Sequence, residues 1–346
     1  MLTLEMAIDD ALFRIRREYE RTKGKIYLSF SGGKDSTVVA NLIKMADLPT
    51  KIPFVFANTR IELDATVRFV KEFDYENVVT VFPRKPFGQI LKDHGKPVMS
   101  KMKSDYFNTY QRYIDDPMDK MRGRVLITGE AEAGGVKFNK RAHAALPLPK
   151  FHLLHPDLEY PIANMCCQYM KKYPFQDFAN DNEMNGTFTG VRAAEEGIRR
   201  KSYTSCVTVK MKKGKEYIMS HPIIDWTDEI MDEFIEKYNI KLSDAYTIYG
   251  SNRTGCIGCP FAKDLPKMLK ILYDHEPLKY KASLKWLGDV YMDQDVELPW
   301  DDDYMAKLAE RREINKVRRK EMYDKYKHTF NPNVRKRIPK ELIDSE

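Results

Sequence analysis

A short polar stretch near the start of the chain has the residue types of an anion site. It follows the apolar run "KIYLSF" and its members are Ser31, Gly32, Gly33, Lys34, Asp35 and Ser36. Glycines let a backbone approach a ligand closely, and the first N–H groups of a helix have no partner within that helix. Serine hydroxyls and the lysine add further donors. The pattern therefore predicts an anion site, with phosphate as its natural occupant.

The spacing of this stretch differs from two common phosphate-binding motifs. It matches neither G-x-x-x-x-G-K-[ST] nor G-x-G-x-x-G. A plain Gly-Gly turn between a strand and a helix is the simplest alternative, but the six-residue string is far more specific than a glycine pair. The string therefore favours a phosphate site of another class.

The cysteines form a second chemical group. The five cysteines are Cys166, Cys167, Cys206, Cys256 and Cys259. An adjacent pair and a Cys-x-x-Cys pair supply four thiolates, enough for a [4Fe–4S] cluster or for zinc. The adjacent pair favours the cluster, because structural zinc prefers two Cys-x₂₋₄-Cys knuckles; a protein without metal is the third alternative. Cys206 lies in the alternating segment "YTSCVTV", which is typical of a buried structural cysteine.

The elements around the polar stretch alternate between strand and helix. Apolar residues at three- and four-residue steps predict a helix before it. Strand patterns then appear in "KIYLSF", "KIPFVFANT" and "NVVTVFP", and helical patterns in "DSTVVANLIKMA" and "LDATVRFVKEFD". This order predicts an α/β fold with right-handed crossovers and a parallel sheet.

The regular pattern weakens after Pro86, and an irregular insertion is predicted near 95–150. A helix is expected in "NMCCQYMKKYPFQDFAN", and Thr227 is predicted to cap the helix in "WTDEIMDEFI". The expected domains are an α/β domain over 1–262, which contains the predicted phosphate site, and a helical, basic C-terminal extension over 263–346.

Composition narrows the class of protein. The chain has 346 residues, of which 42% are hydrophobic and 32% are charged, so a folded globular protein is expected. No apolar run approaches the ~20 residues of a membrane span. Without an export signal, a cytoplasmic location and reduced thiols are expected. The net charge of +7 and the basic C-terminal segment suit either a solvated helix or a nucleic-acid surface. Nothing in the sequence excludes an oligomer.

The string "SGGKDS" resembles the PP-loop of the adenine-nucleotide α-hydrolase-like, or ATP pyrophosphatase, superfamily. This resemblance implies a Rossmann-like core and an adenine nucleotide: ATP, or one related to phosphoadenylyl or adenylyl sulfate. The nucleotide's phosphates would lie on the loop. It also implies that Ala57 and Asn58, at the end of the next strand, lie against the adenine.

Four further segments resemble the adenylyl-sulfate and phosphoadenylyl-sulfate reductase family. "CCQYMKKYP" and "RTGCIGCPF" resemble its cysteine signature, which implies a [4Fe–4S] cluster on Cys166, Cys167, Cys256 and Cys259. "TGVRAAEEGIRR" implies that Arg192 faces the anionic groups of the nucleotide. "HPIIDWTDEIMDEFI" resembles its Pro-x-x-x-Trp-Thr segment, and "FANTRIELDAT" resembles its Asn/Asp-Thr-Gly segment with Arg60 in place of glycine.

One departure from the family changes the expected chemistry. The reductases attack sulfur with a cysteine in a C-terminal Glu-Cys-Gly-Leu-His-like motif, and this sequence has no cysteine after Cys259. It is similar in this respect to reductase-family proteins of phages and mobile elements. The expectation is an ATP pyrophosphatase-type enzyme that adenylates an acceptor for sulfur transfer, with nucleic-acid thiolation as one form. Lys34, Asp35 and Arg192 would be catalytic, Mg²⁺ would screen the phosphates, and a donor protein would supply sulfur.

Two alternatives remain open. The first is a sulfonucleotide reductase with a relocated nucleophile, for which Cys206 is the candidate. The second is a nucleotide-sensing or DNA-binding regulator without catalysis.

Overall fold

The computed structural model describes residues 2–128, 131–133, 136–138, 145–194, 205–212 and 214–329. The described strands are β1 (Ile26–Ser29), β2 (Phe54–Ala57), β3 (Val78–Val81), β4 (Ala131–Ala133), β5 (Val136–Phe138), β6 (Gly186–Phe188), β7 (Val207–Lys212) and β8 (Lys215–Ser220). The described α-helices are α1 (Leu4–Arg21), α2 (Lys34–Met45), α3 (Asp64–Lys71), α4 (Phe87–His94), α5 (Lys101–Arg112), α6 (Met121–Thr128), α7 (Tyr173–Asp181), α8 (Asp228–Lys237), α9 (Asp244–Thr247), α10 (Leu265–His275), α11 (Pro277–Asp293) and α12 (Asp302–Tyr326).

The chain divides into two compact units, each made of two stretches. The first unit contains Met1–Arg84 and Tyr169–Cys256, and the second contains Lys85–Gln168 and Ile257–Glu346. These limits differ from a cut at residue 262, because much of the segment predicted as an insertion packs with the C-terminal helices. The predicted boundary between two domains at residue 262 stays a prediction.

A six-stranded sheet forms the centre of the first unit. Its strand order is β3-β2-β1-β6-β8-β7. The pairs from β3 to β8 are parallel, and only β7, at the edge, runs antiparallel to its neighbour β8. The α/β class with a parallel sheet, predicted from the strand and helix patterns, is confirmed, and so is the Rossmann-like core that the resemblance implies.

Helices cover both faces of this sheet. One face packs against α1, α2 and α8 through a continuous apolar core that includes Leu28, Phe54, Val38 and Phe234. The other face packs against α7, where Tyr27 and Phe178 meet edge to face. Burial on both faces explains why the central strands read as apolar runs rather than as alternating patterns.

The predicted start of α8 is confirmed. Thr227 precedes the helix with extended backbone angles, and its side-chain oxygen accepts a hydrogen bond from the N–H of Ile230. Asp228 and Glu229 follow in the first turn, where negative charge complements the helix dipole.

The second unit is more regular than the predicted insertion. Helices α5 and α6 form within 95–150, and a 3₁₀ helix begins at Leu148 and ends at Leu154. Gly123 weakens the helical propensity of α6, yet it allows the helix to approach the carbonyl of Pro117 so closely that a Cβ would lie 2.3 Å from it. Local packing therefore decides this helix.

The C-terminal part of the second unit is helical, as expected. Three helices, α10 to α12, are followed by a 3₁₀ turn at Lys327–Thr329. The basic residues at 195–200 and the remainder of the basic C-terminal segment at 330–346 lie outside the described residues. No described helix has the length and apolar character that a membrane crossing requires.

Candidate nucleotide-binding site

The polar stretch at 31–36 lies at the point where the strand order of the sheet reverses. The chain moves outward from β1 to β2 and β3 on one side, whereas β6 lies on the other side of β1. The segments that follow β1 and β6 therefore leave the same edge of the sheet in different directions. Ligands of open parallel sheets bind in the crevice at such a point.

The loop is shaped by its two glycines. Gly32 has φ +68°, a left-handed conformation that strains residues with a side chain. A Cβ at Gly32 would also lie 2.8 Å from Val70 Cγ2 and 3.0 Å from Thr66 Cγ2, both on α3. Gly33 is the N-cap of α2 and brings no side chain to the first N–H groups of that helix. The first N–H groups of a helix have no partner within that helix, as an anion site requires.

Two serine hydroxyls close the loop internally. Ser31 Oγ and Ser36 Oγ lie 3.0 Å apart, and Ser36 Oγ donates to the carbonyl of Gly33 at 3.0 Å. The N–H of Ser31 donates to Ser36 Oγ at 3.2 Å. These bonds hold the two ends of the loop together, so the serines shape the loop as well as adding donors.

Two hydroxyls from a distant part of the chain lie against Gly33. The N–H of Lys34 donates to the hydroxyl of Tyr246 at 3.1 Å. A Cβ at Gly33 would lie 2.7 Å from Thr254 Oγ1 and 3.3 Å from Tyr246 Oη. The missing side chain at Gly33 therefore admits these two hydroxyls, which the sequence did not predict.

The lysine of the loop is paired with a carboxylate on α8. Lys34 Nζ lies 3.0 Å from Asp232 Oδ1, and the side chains are 28% and 69% exposed. An ion pair this exposed is weak, on the order of 0–1 kcal/mol, so the ammonium can exchange its partner for a phosphate at little cost.

Arg192 lies between two carboxylates rather than at an open surface. Its side chain is 8% exposed, its Nε donates to Asp35 Oδ1 at 2.6 Å and its Nη2 lies 2.8 Å from Asp228 Oδ1. Burial alone would lower the pKa of Arg192, but the charges of Asp35 and Asp228 outweigh it and raise the pKa. The guanidinium also reaches the carbonyl of Trp226 at 3.4 Å. Arg192 therefore contacts both Trp226 and Asp228 of the Trp-Thr-Asp segment.

A close backbone contact brings Arg192 to the loop. Gly190 follows β6, and a Cβ there would lie 2.7 Å from the carbonyl carbon of Asp35 and 2.8 Å from the nitrogen of Ser36. Only glycine allows this approach. The contact places the segment after β6 against the first turn of α2, two residues before Arg192.

The residues expected beside adenine lie at the end of the neighbouring strand. Ala57 is the last residue of β2 and is buried, while Asn58 is half-buried. The N–H of Asn58 donates to the carbonyl of Val81, and its side-chain oxygen accepts from the N–H of Arg60 at 2.9 Å. Arg60 has φ +62°, which favours glycine, so the arginine keeps a glycine-like turn.

A buried carboxylate lies in the same turn region. Glu62 is 3% exposed and accepts a hydrogen bond from Thr59 Oγ1 at 3.0 Å. Lys171 Nζ lies 3.1 Å from the same carboxylate, and Cys256 Sγ lies 3.8 Å from it. This group joins the turn after β2 to the segments that carry the cysteines, a connection absent from the sequence-based predictions.

The five cysteines form no disulfide among the described residues, and the described side chains do not gather them into a metal site. Cys166 is buried, and the other four are half-buried. Among the described residues, no three His, Cys, Asp or Glu side chains lie close enough to hold a metal ion. Cys206 lies directly before β7 and is half-buried rather than fully buried. The assignment of Cys166, Cys167, Cys256 and Cys259 to a cluster stays a prediction.

The first unit thus brings together the whole loop, Arg192 and the end of β2 at one edge of the sheet. Four contributors were missed from the sequence: Asp228, Asp232, Tyr246 and Thr254. Asp228 follows a recognisable N-cap and Thr254 precedes a Cys-x-x-Cys, so both had a local signal. Tyr246 had none, because its contact with Lys34 depends on the tertiary fold.

Solved structures were matched at low sequence identity and with TM-scores below 0.5. One is phosphoadenylyl-sulfate (PAPS) reductase from Candida auris in a phosphate complex, at TM-score 0.40 and 12% identity, covering 74% of this chain and 96% of that one. Another is Candida glabrata FMN adenylyltransferase in complex with FAD and inorganic pyrophosphate, at TM-score 0.42 and 13% identity, covering 73% of this chain and 64% of that one. No curated protein was matched by sequence.

The sequence model of the phosphoadenosine phosphosulfate reductase domain matches residues 25–86 and 84–262. These ranges include the glycine loop, the end of β2, Arg192 and all five cysteines. The match confirms the resemblance seen in the motifs and covers well over half of the chain. The chain therefore belongs to the phosphoadenosine phosphosulfate reductase domain family, with its PP-loop and adenine-nucleotide α-hydrolase-like fold.

Proposed function

We propose that this protein is an ATP pyrophosphatase-type enzyme that adenylates an acceptor for sulfur transfer. The observation that carries the proposal is the loop at 31–36, which lies at the reversal point of a parallel sheet and at the N-terminus of α2. Helix dipole and backbone donors there favour the phosphates of a nucleotide. Ala57 and Asn58, one strand away, are proposed to lie beside the adenine.

The proposed reaction is a displacement at the α-phosphorus of ATP. A nucleophilic oxygen of the acceptor forms a bond to the α-phosphorus, and the bond from that phosphorus to the bridging oxygen of the β-phosphate breaks. The electron pair of the broken bond leaves with pyrophosphate. Mg²⁺ is proposed to enter with the nucleotide on its phosphate oxygens, where it screens their charge.

Lys34 and the loop are proposed to stabilise the leaving pyrophosphate. The ammonium exchanges its exposed partner Asp232 for phosphate oxygens, and the N–H groups of the loop bind the remaining charge. Arg192 is proposed to act mainly as a positioning residue. Its bond to Asp35 fixes the first turn of α2, and its bond to Asp228 fixes the start of α8.

The cysteines are proposed to hold a [4Fe–4S] cluster, with zinc as the less favoured occupant. Four cysteine thiols have the chemistry of such a site, but the described side chains are not arranged as one, so the reaction above contains no step at a cluster. A cluster, when bound, would supply sulfur chemistry or structural support. A sulfur-donor protein, contact with nucleic acid through the basic C-terminal segment and a cytoplasmic location are further parts of this proposal.

A sulfonucleotide reductase is the second candidate, and the family match favours it. It needs a thiolate nucleophile. Cys206 is half-buried directly before β7, so its thiol is not sealed within the core. Sulfite release from adenylyl sulfate with thioredoxin would support this function, and full activity of Cys206→Ser would exclude that residue as the nucleophile.

Pyrophosphate release tests the proposed function. Protein prepared without oxygen is incubated with ATP, Mg²⁺ and candidate acceptors, and pyrophosphate is measured. We expect Lys34→Met to lose at least tenfold in rate, because it removes the one flexible cation of the loop. Lys44→Met, at the other end of α2, is the matched control and should retain its rate. Absence of release with every acceptor would contradict the proposal, and ATP binding without turnover would favour a regulator.

Iron and sulfide analysis of anaerobically purified protein tests the cluster separately. We expect about four iron and four sulfide per chain, lost together in Cys166→Ser and in Cys256→Ser. Cys206→Ser is the control and should keep its iron. Stoichiometric zinc, or no metal at all, would refute the iron–sulfur assignment while leaving the nucleotide site untouched.

A further inference from the structure

The hydroxyls of Tyr246 and Thr254 reach the backbone of the glycine loop from a distant part of the sequence. The N–H of Lys34 donates to Tyr246 Oη at 3.1 Å. An ideal Cβ at Gly33 would lie 2.7 Å from Thr254 Oγ1 and 3.3 Å from Tyr246 Oη. Both oxygens therefore lie at the start of α2, where the loop presents its donors.

The position of Tyr246 is set by α9, which contains it, and by a contact between α9 and α3. Ser243 caps α9 by accepting the N–H of Ala245 at 3.2 Å, and Ala245 is fully buried. Asp244 accepts a hydrogen bond from Arg68 on α3 at 3.0 Å. Since α3 also supports Gly32 through Val70, the loop and Tyr246 share one support.

The proton of each hydroxyl has no acceptor within the part of the chain that the structure describes. Tyr246 accepts from Lys34, which uses an oxygen lone pair and leaves the phenolic O–H as a donor. Thr254 Oγ1 has no hydrogen bond there at all and is half-buried. Two donors without acceptors beside a loop of N–H groups extend the same site, because a hydroxyl donor and an N–H donor favour the same anion.

We propose that Tyr246 and Thr254 are phosphate-binding residues that donate their hydroxyl protons to oxygens of the nucleotide's pyrophosphate end. This inference rests on the proposed function of the loop as a nucleotide site and adds residues to it. The hydroxyl of Tyr246 then accepts a hydrogen bond from the N–H of Lys34 and donates one to the phosphate. It therefore connects the backbone of the loop to the phosphate. Gly33 is required at its position because a side chain would displace both hydroxyls.

The test measures pyrophosphate binding by isothermal titration calorimetry. Tyr246→Phe and Thr254→Val each remove one hydroxyl and keep most of the side chain's volume. We expect each variant to bind inorganic pyrophosphate about three- to tenfold more weakly, the usual loss for one hydrogen bond to an anion. The double variant should lose at least the product of the two factors.

Matched controls separate this role from a structural one. Tyr238→Phe and Thr247→Val remove the same groups at exposed positions of the first unit, and they should bind pyrophosphate as the wild type does. The denaturant midpoint of Tyr246→Phe and Thr254→Val should match that of their controls, since both hydroxyls face the loop. Weaker binding that comes with a matching loss of stability would assign both residues to the fold instead.

Three other results of the binding experiment would contradict the proposed role of the two hydroxyls. Unchanged binding in both variants, with binding by the wild type, overturns this inference and leaves the nucleotide site standing. Tighter binding by Tyr246→Phe also overturns it, because the phenol would then compete with phosphate for the N–H of Lys34. If the wild type binds neither pyrophosphate nor ATP, the proposed function and this inference fail together.

Discussion

Arg192 illustrates how a single residue's role depends on its partners. The family resemblance implies that this arginine faces the anionic groups of the nucleotide. In the structure its guanidinium is held by Asp35 and Asp228 and by the carbonyl of Trp226. Such contacts fix the first turn of α2, which is why we propose that Arg192 acts on a bound nucleotide through Asp35.

Replacement of Arg192 tests this positioning role. We expect Arg192→Gln to lower the free energy of unfolding by about 2 kcal/mol, because Asp35 loses a buried charged partner. Lys51→Gln is the control, since its pair with Glu76 is exposed on both sides and should cost well under 1 kcal/mol. Denaturant unfolding measures both. Equal, small losses would mean that the buried pair contributes no more than a surface pair.

A comparison of Gly32 with Gly250 separates the cost of backbone strain from the cost of steric clash. Gly32 and Gly250 have φ of +68° and +64°, but a Cβ meets Val70 only at Gly32 and nothing within 4 Å at Gly250. We expect Gly250→Ala to cost about 1 kcal/mol and Gly32→Ala about 1–3 kcal/mol more. Unfolding curves of the two variants give the difference. Identical costs would show that α3 yields to the added methyl group.

At the scale of elements, a hydrogen bond between His221 and Thr189 joins the ends of two parallel strands. His221 follows β8 and Thr189 follows β6, and Nδ1 of the histidine lies 2.7 Å from the threonine hydroxyl. His221 is fully buried, and burial lowers its pKa to about 4. The pair lies at the edge of the sheet from which the segment leading to Arg192 departs.

The depressed pKa of His221 predicts a pH dependence. The folded protein keeps the ring neutral down to about pH 4, whereas the unfolded chain takes up a proton below about pH 6.5. The free energy of unfolding should therefore fall as the pH drops from about 6.5 to 4, by about 1–3 kcal/mol from this group. Unfolding curves of His221→Gln should show a flatter dependence than the wild type. The exposed His275→Gln is the control, and an unaltered slope in His221→Gln would refute the assignment.

At the scale of the whole molecule, each unit has its own stabilising centre. The first unit has the sheet core, while the second has a buried polar network around Asp293 at the end of α11. Asp293 is 1% exposed and accepts from Arg311 Nε at 2.6 Å, Tyr160 at 2.8 Å and Asn315 at 3.0 Å. Burial alone would raise its pKa, but these donors outweigh burial and lower it.

Removing the charge of Asp293 should destabilise the second unit. Asp293→Asn leaves Arg311 without its buried partner, and we expect a loss of about 3 kcal/mol in the free energy of unfolding. Asp295→Asn, two residues further on, breaks an exposed pair with Arg312 and should cost under 1 kcal/mol. Both are measured by denaturant unfolding. A loss below 1 kcal/mol for Asp293→Asn would contradict a stabilising role for the network.

The sequence by itself determined the class of fold and the anion loop. Strand and helix periods are local, and the backbone demands of Gly32 and the N-terminus of α2 act over a few residues, so the pattern carries them. The motif around Trp226 and Thr227 was also readable, since an N-cap depends on three adjacent positions.

Only the tertiary structure decided which side chains meet at that loop. Tyr246 contacts Lys34 across 212 residues of sequence, and Arg192 contacts Asp35 across 157. Contacts of this range follow from strand order, from the approach allowed by Gly190 and from the support of α3 beneath α9, none of which leaves a local period in the sequence. For that reason the sequence predicted a phosphate site, while the fold supplied the hydroxyls and carboxylates around it.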